Sequence, residues 1–367
     1  MSNPRMSRQS RNQYHPDFVT PPGVQIQEKI QELGMTQTEL AERIGRTKKT
    51  VNEIISGKAP IEPETALQLE RVLGIPARFW NNAERQYRDY IVRQEERARL
   101  EQQVERLRSF PVREMCRLGW LPKRSDRIEM LAELLSYFGA ASFEALDQVD
   151  LRTCAAFRQS AVHRVDSNAV LARLRKGELE ARPVACRPFE REKFSAALAK
   201  IRELTLRRID EAIPEAVRLC AESGVAVVFV PEFPKTRTWG ATRWLTPDKA
   251  LIQLSARGKT DDQLWFTFFH EAGHILLHPK KDIFIELDNT EDSREDEANR
   301  FAAEQLIPPN TWMLLRQMKP RSTTEVRLFA KQYNIAPGVL VGRMQREKII
   351  PWSHLNALKR RLELKAS

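Results

Sequence analysis

The sequence has no run approaching the ~20 consecutive apolar residues that a membrane span requires. Its opening stretch, Met1 to Thr20, is polar and arginine-bearing and lacks the apolar h-region of a secretory signal, so it reads as a flexible arm. Cysteine is sparse. Cys116, Cys154, Cys186 and Cys220 lie far apart with no C-x-x-C pair, the pattern of reduced, mostly buried thiols in a cytoplasmic protein. Between Pro111 and Ile213 there is neither an internal repeat nor a chemical motif.

The 367 residues suffice for two or three domains, and a hydrophobic content of 41% is ordinary for a globular chain. A net charge of +11 favours a polyanionic partner, although charge carries that reading only where a motif stands behind it.

Apolar positions recur at helical spacing over Ile26–Leu33, Leu40–Ile44, Val51–Ile55 and Ala66–Leu73, punctuated by Gly34, Gly45, Gly57 and Gly74. This density of short helices predicts a compact all-helical module over residues 21–94. A charged run from Asn81 to Arg108 predicts a helix leaving it, as a connector or a dimerising coil. Residues 95–213 read as a helical connector, with Met130–Phe138 and Phe194–Ile209 its best amphipathic segments. The pattern then changes. Val225–Val230 is a β-branched run ending at Pro231, and Thr238–Leu245 and Lys249–Ser255 are two further strand candidates.

The helix that follows, from about Asp261 to Leu277, carries His270-Glu271-Ala272-Gly273-His274. In an H-E-x-x-H helix the two histidines share a face and can present their imidazoles to one ion. Glu271, about 100° round from His270, can then take a proton from water. A catalytic site of this kind uses three protein ligands and leaves one corner for water. Glu295 is the best third ligand, because Glu295, Ala298, Asn299 and Ala302 share one face of a second helix over Glu291–Pro308. Asn299, one turn on, would orient a histidine. Glu297 is the runner-up, and His278 reads as a structural or rim histidine. Tyr333, Arg343 and His354 are all open as donors to an oxyanion. The ion expected for two histidines and a glutamate is zinc, with manganese or iron also compatible.

The sequence HEAGHILLH followed by E-x-E-A-N-x-F-A-x-x-x-L-I-P resembles the ImmA/IrrE family of metallopeptidases, over roughly Val225 to Pro309. That resemblance implies a zincin-like peptidase domain over residues 214–367, with His270, His274 and Glu295 on the metal and Glu271 as the base. It further implies a repressor or antitoxin protein as substrate, and relief of transcriptional repression under stress.

Met35 to Lys58 fits a helix-turn-helix. Thr36 caps the first helix with Glu39 at the capping-box position, Gly45 makes the turn, and Val51, Ile54 and Ile55 bury the second helix. Thr47, Lys48, Lys49, Thr50 and Asn52 are left near its exposed N-terminal face, where a recognition helix meets base edges. Gln37 and Lys58 are placed for phosphate. The segment, with its continuation to Phe79-Trp80, resembles the Xre-type helix-turn-helix, in particular the HigA antitoxin branch. The resemblance implies a double-stranded DNA operator as partner and a homodimer.

The expected fold is therefore α+β and mostly α: an all-helical reader, a helical middle, and a small β-sheet packed on the H-E-x-x-H helix. Two functions compete. One is an endopeptidase joined to a DNA reader; the other is a HigA-like transcriptional regulator whose peptidase-like domain senses and cleaves nothing.

Overall fold

The computed structural model describes residues 19–148, 166–231, 233, 238–255, 260–280, 284–287, 293–318 and 320–362. The arm read over Met1–Thr20 lies, up to residue 18, outside the described residues, as does Cys154. The chain divides into two compact units, one ending at Val104 and one beginning at Glu105.

The first unit consists of α1 (Pro22–Glu32), α2 (Gln37–Ile44), α3 (Lys48–Ile55), α4 (Pro63–Leu73) and α5 (Ala77–Glu101). Thr36 and Glu39 form the reciprocal capping box: the Glu39 amide donates to Thr36 Oγ1 at 3.2 Å and the Thr36 amide to Glu39 Oε2 at 2.7 Å. Two backbone donors that would otherwise be orphaned at the start of α2 are thereby satisfied. Gly45 ends α2 at φ 68°, a left-handed conformation that glycine adopts without steric cost. Ile26, Leu40, Val51, Ile54, Leu69 and Trp80 interlock as the core of this unit.

The second unit opens with α6 (Val112–Arg117), α7 (Arg127–Phe138), α8 (Ser167–Ala181), α9 (Arg191–Leu204) and α10 (Ile209–Glu222). Next come β1 (Val225–Phe229), β2 (Thr238–Thr246), β3 (Lys249–Leu254), α11 (Asp261–Leu277) and β4 (Phe284–Leu287). It continues with α12 (Ser293–Leu306), α13 (Pro309–Met318), α14 (Thr323–Gln332) and α15 (Pro337–Arg346). The sheet runs β1-β3-β2-β4. β1 is parallel to β3, with Val225 opposite Ala250, whereas β2 is antiparallel to both of its neighbours.

α11 is buried on nearly every side. β2 and β3 pack on it from one direction, α12 and α15 from others. A helix so enclosed must be apolar all round, and Leu264, Trp265, Phe268, Phe269, Ala272, Ile275 and Leu276 supply that surface. Its first turn carries two buried acids, each paired. Arg360 Nε lies 2.7 Å from Asp261 Oδ2, and Lys359 Nζ lies 2.7 Å from Asp262 Oδ2.

The boundary set at residues 94/95 falls inside α5, and that set at 213/214 falls inside α10, which carries Pro214. Within the stretch 95–213, α9 and the start of α10 share one apolar core with the sheet and α11, through Phe194, Leu198, Ile201 and Ala212. The amphipathic segment read over Phe194–Ile209 is helical to Leu204, and Ile209 opens α10. It breaks after Leu204 because Arg360 collects the carbonyls of Thr205, Leu206 and Arg207, groups that a continuing helix would have used internally.

Candidate metal centre

The close approach of α11 and α12 builds the centre. Gly273 faces α12, and a β-carbon there would lie 3.1 Å from Phe301 Cδ1 and 3.3 Å from Ala298 Cα. Ala298 and Ala302 are fully buried on the facing side. Small residues on both helices let the backbones approach, and the carboxylate of Glu295 is thereby carried to the histidines of α11.

His270 Nε2 lies 3.1 Å from Glu295 Oε2, His274 Nε2 lies 3.5 Å from Glu295 Oε1, and the two Nε2 atoms are 3.0 Å apart. Ligand atoms about 2.0–2.1 Å from a tetrahedral zinc are separated by roughly 3.3 Å. Two imidazoles and one carboxylate at this spacing fit a divalent cation in donor type and in separation. Among the described residues, His270, His274 and Glu295 form the group that could hold such an ion.

The electrostatics agree with that arrangement. Burial pushes the His274 imidazolium down to about 4, against the opposing effect of Glu295, so the ring is neutral at ordinary pH. Burial would raise the Glu295 carboxyl, but the His270 and His274 rings packed against it outweigh that and hold it at about 2. A neutral imidazole and an ionised carboxylate are the forms that ligate.

The neighbours orient the ligands. Asn299 Oδ1 lies 3.1 Å from His270 Nδ1 and also accepts from an Arg346 guanidinium nitrogen at 3.0 Å. An amide oxygen only accepts, so His270 carries its proton on Nδ1 and leaves Nε2 bare. His274 Nδ1 faces His278 Nδ1 at 2.9 Å, and His278 Nε2 lies 3.3 Å from Glu297 Oε2. The runner-up acid therefore stands beside His278 and away from the three convergent ligand atoms.

Glu271 is fully buried. The Thr242 hydroxyl on β2 donates to its Oε2 at 2.6 Å. Gly240, two residues earlier on the same strand, leaves room for the carboxylate. A cleft of about 770 Å³ opens beside the centre, with His270, Glu295 and Asn299 in its wall together with Trp239, Phe266 and Arg346. His274 and Glu271 lie beneath that wall.

Of the three oxyanion candidates only Arg343 lines the cleft, and it is engaged elsewhere. It donates to the carbonyls of Ala303 at 2.9 Å and Ile307 at 3.1 Å and pairs with Glu347 at 3.0 Å. Tyr333 packs on Phe329, and His354 contacts Ser353. Arg346, whose guanidinium sits 3.9 Å over Phe266, was not singled out from sequence, nor were Thr242 and Gly240. Their relevance depends on which elements pack on α11, and no spacing signal reveals that.

In the first unit, α3 presents Lys48, Lys49 and Asn52 exposed. Thr47 is the N-cap of α3, accepting from the Thr50 amide at 3.1 Å, and Thr50 is half-buried. Gln37 begins α2 and is tied to Gln27 at 2.8 Å, with Asn52 3.5 Å away, while Lys58 is exposed beyond α3.

Comparison with known proteins agrees with this division. Residues 26–80 match the helix-turn-helix family model, and residues 220–344 match that of the IrrE N-terminal-like domain. The chain thus joins a helix-turn-helix domain of the DNA-binding kind to an IrrE-like, metallopeptidase-like domain. It is similar to the uncharacterized HTH-type transcriptional regulator YddM of Escherichia coli (strain K12), with 34% identity over 61 residues. That match spans 17% of this chain and 65% of the relative's length. A solved structure from Nostoc punctiforme, assigned as an antidote protein of a plasmid maintenance system, is 26% identical. It covers 23% of this chain and 92% of its own, at a TM-score of 0.22. Among the described residues no helix is long and apolar enough to cross a membrane.

Proposed function

We propose that this chain is a metal-dependent endopeptidase, brought to DNA by its helix-turn-helix domain, that cleaves a repressor or antitoxin protein and so controls transcription. The observation that carries the reading is the convergence of His270, His274 and Glu295 beside a cleft that His270 and Glu295 line, with a carboxylate at the position after His270, Glu271. These three residues would hold zinc, with manganese or iron as compatible ions. A bound divalent ion supplies Lewis acidity to water and to the scissile carbonyl. Glu271 takes the proton from the attacking water and hands it to the leaving amine. Asn299 keeps the His270 lone pair on Nε2, and Thr242 holds the Glu271 carboxylate in its buried position.

At the other end of the chain, Lys48, Lys49 and Asn52 would meet the major groove of an operator, with Thr47 and Thr50 shaping the start of the helix that carries them. Gln37 and Lys58 would contact phosphate. A homodimer would match a two-fold operator in the cytoplasm. Tethering raises the local concentration of the peptidase beside DNA-bound proteins, which is why a repressor or antitoxin, with the stress or toxin–antitoxin setting that implies, is the substrate class favoured.

The HigA-like sensor without cleavage is the second reading. It is favoured by one observation: Glu271 is wholly buried and tied to Thr242. Glu271→Gln separates the two. The peptidase reading expects stoichiometric metal to remain while cleavage of a DNA-bound repressor falls by at least about 1,000-fold. Unchanged regulation by this variant in cells would establish the sensor instead.

A further inference from the structure

We propose that Trp352, held at the rim of the cleft, selects the substrate by taking a large apolar side chain within about three residues of the bond cut. The inference rests on the peptidase reading above and deepens it, by naming what the substrate must carry.

A single exposed apolar side chain is ordinary on a protein surface. Trp352 is 62% exposed, and among the described residues it is the exposed large hydrophobic residue that also lines the cleft. Others, such as Met313, Met318 and Leu328, stand outside its lining. A tryptophan can bury about 150–250 Å². Leaving that surface in water beside His270 and Glu295 gives an incoming polypeptide something to cover.

The chain is built to keep the ring there. Gln345, near the end of α15, is only 1% exposed and gathers the loop that follows it. Its Nε2 lies 3.2 Å from the Trp352 carbonyl, 2.8 Å from that of His354 and 3.0 Å from Asn356 Oδ1. Asn356 Nδ2 donates to the same Trp352 carbonyl at 2.8 Å, and Lys359 Nζ donates to Gln345 Oε1 at 2.7 Å. The backbone of Trp352 is thus anchored to a buried amide while its side chain is left outside. Lys348 at φ 58° and Leu355 at φ 60° bracket it, and non-glycine residues keep such conformations only where the surroundings enforce them. A ring positioned in advance loses little freedom when a ligand covers it.

The chemistry of the occupant follows from the same wall. Phe266, Ile307 and Val339 share the lining with Trp352. A space of 770 Å³ is roughly 11 Å across, the length of about three extended residues. A chain with its scissile carbonyl beside His270 and Glu295 therefore brings a nearby side chain against the indole. A basic side chain is disfavoured, because the Lys359 ammonium already stands 5.9 Å from the centre of that ring. An acidic one would exchange water for an uncharged surface. A large apolar side chain gains burial and dispersion at no such cost.

The test uses the full chain loaded with Zn²⁺ and a bacterial protein extract, offered both native and as peptides, with new termini read by mass spectrometry. Large apolar residues should be enriched at one position within about three of the cut. On the best-cut sequence, Trp352→Ala should raise KM about 10-fold or more and leave kcat within about twofold. Trp352→Phe should recover most of that loss. Alanine in place of the substrate's apolar residue should cost the unaltered chain the same factor and cost Trp352→Ala little more, since both remove one contact. The exposed position lets both variants melt with the unaltered chain.

If the unaltered, metal-loaded chain cleaves nothing in either form of the extract, the peptidase reading falls and this inference with it. If it cleaves, but Trp352→Ala keeps the same preference and KM, the inference alone is overturned. A fall in kcat at unchanged KM would overturn it too, by giving the indole a structural part. Loss of self-association in Trp352→Ala with cleavage unaltered would assign the ring to a second copy of this chain instead.

Discussion

Gly240 lies so close to Glu271 that a β-carbon on it would come within 2.3 Å of Oε1 and 2.8 Å of Cδ. The strand was built without a side chain at the one place where the carboxylate following His270 needs room. Gly240→Ala should therefore act on Glu271 more than on the fold. The carboxylate is the mobile partner and swings away, losing its bond from Thr242 at a cost of about 1–3 kcal/mol. Cleavage should fall by about 100-fold or more, since small displacements of a reacting group cost that much, while metal content stays stoichiometric. Metal analysis beside a cleavage assay checks it. Unaltered cleavage would show that Glu271 does not act from this position.

Glu295→Ala should remove the metal. Only two imidazoles from one helix would remain, and the lost carboxylate is the sole anionic ligand of the set. Chelator competition should show a loss of at least about 100-fold in affinity. Glu297→Ala in the same assay should show far less, because Glu297 contacts His278 and stands away from the three ligand atoms.

The metal-free protein should lose stability as pH falls from about 6.5 towards 4. His274 has its folded value depressed to about 4, below the ordinary 6.5. Across that window the unfolded chain binds a proton that the folded chain does not, so acid favours unfolding. Glu295, depressed from 4.5 to about 2, extends the same trend below pH 4.5. Melting temperatures from pH 7.5 to 4 should fall for the unaltered protein and fall less steeply for His274→Gln. Equal slopes would rule out a depressed His274.

Gly273→Leu should separate α11 from α12, because the added side chain has no space beside Phe301 and Ala298. Overpacking of this kind costs about 1–3 kcal/mol. Metal affinity should fall along with the melting temperature, in contrast to Gly240→Ala.

On operator DNA, Lys49→Ala should weaken binding evenly across sequences and lower the salt slope by about 1. Lys49 is exposed, and its pairing with Glu53 at 3.9 Å is too loose and solvated to matter for stability. Asn52→Ala should cost about 1–3 kcal/mol on the preferred sequence only. Binding measured at several salt concentrations on two operators distinguishes these outcomes.

Much of this architecture was legible in advance. The bounds of α11 agree with the expected Asp261–Leu277, and β1 to β3 begin at Val225, Thr238 and Lys249, where the three strand candidates begin. The capping box at Thr36–Glu39 forms as read. Such features rest on local periodicity and capping, which act over a few residues. By contrast β4 was not foreseen, because four residues of Phe-Ile-Glu-Leu are too few to show an alternation. The packing of α9 and α10 on the sheet was hidden for a related reason: each shows its own amphipathicity but not the surface that it covers.

The i, i+4 spacing of His270 and His274, and the shared face of Glu295 and Asn299, were set along the chain, because a helix converts sequence separation directly into direction. Whether those two faces would meet was a matter of packing. Gly273, Ala298 and Ala302 had to bring α11 and α12 together. The places of Gly240 and Thr242 beside Glu271, of Arg346 beside Asn299, and of Glu297 beside His278 were likewise decided only in three dimensions. Each pairs residues between 19 and 47 positions apart, and distance along a chain says nothing about which surfaces burial will press together.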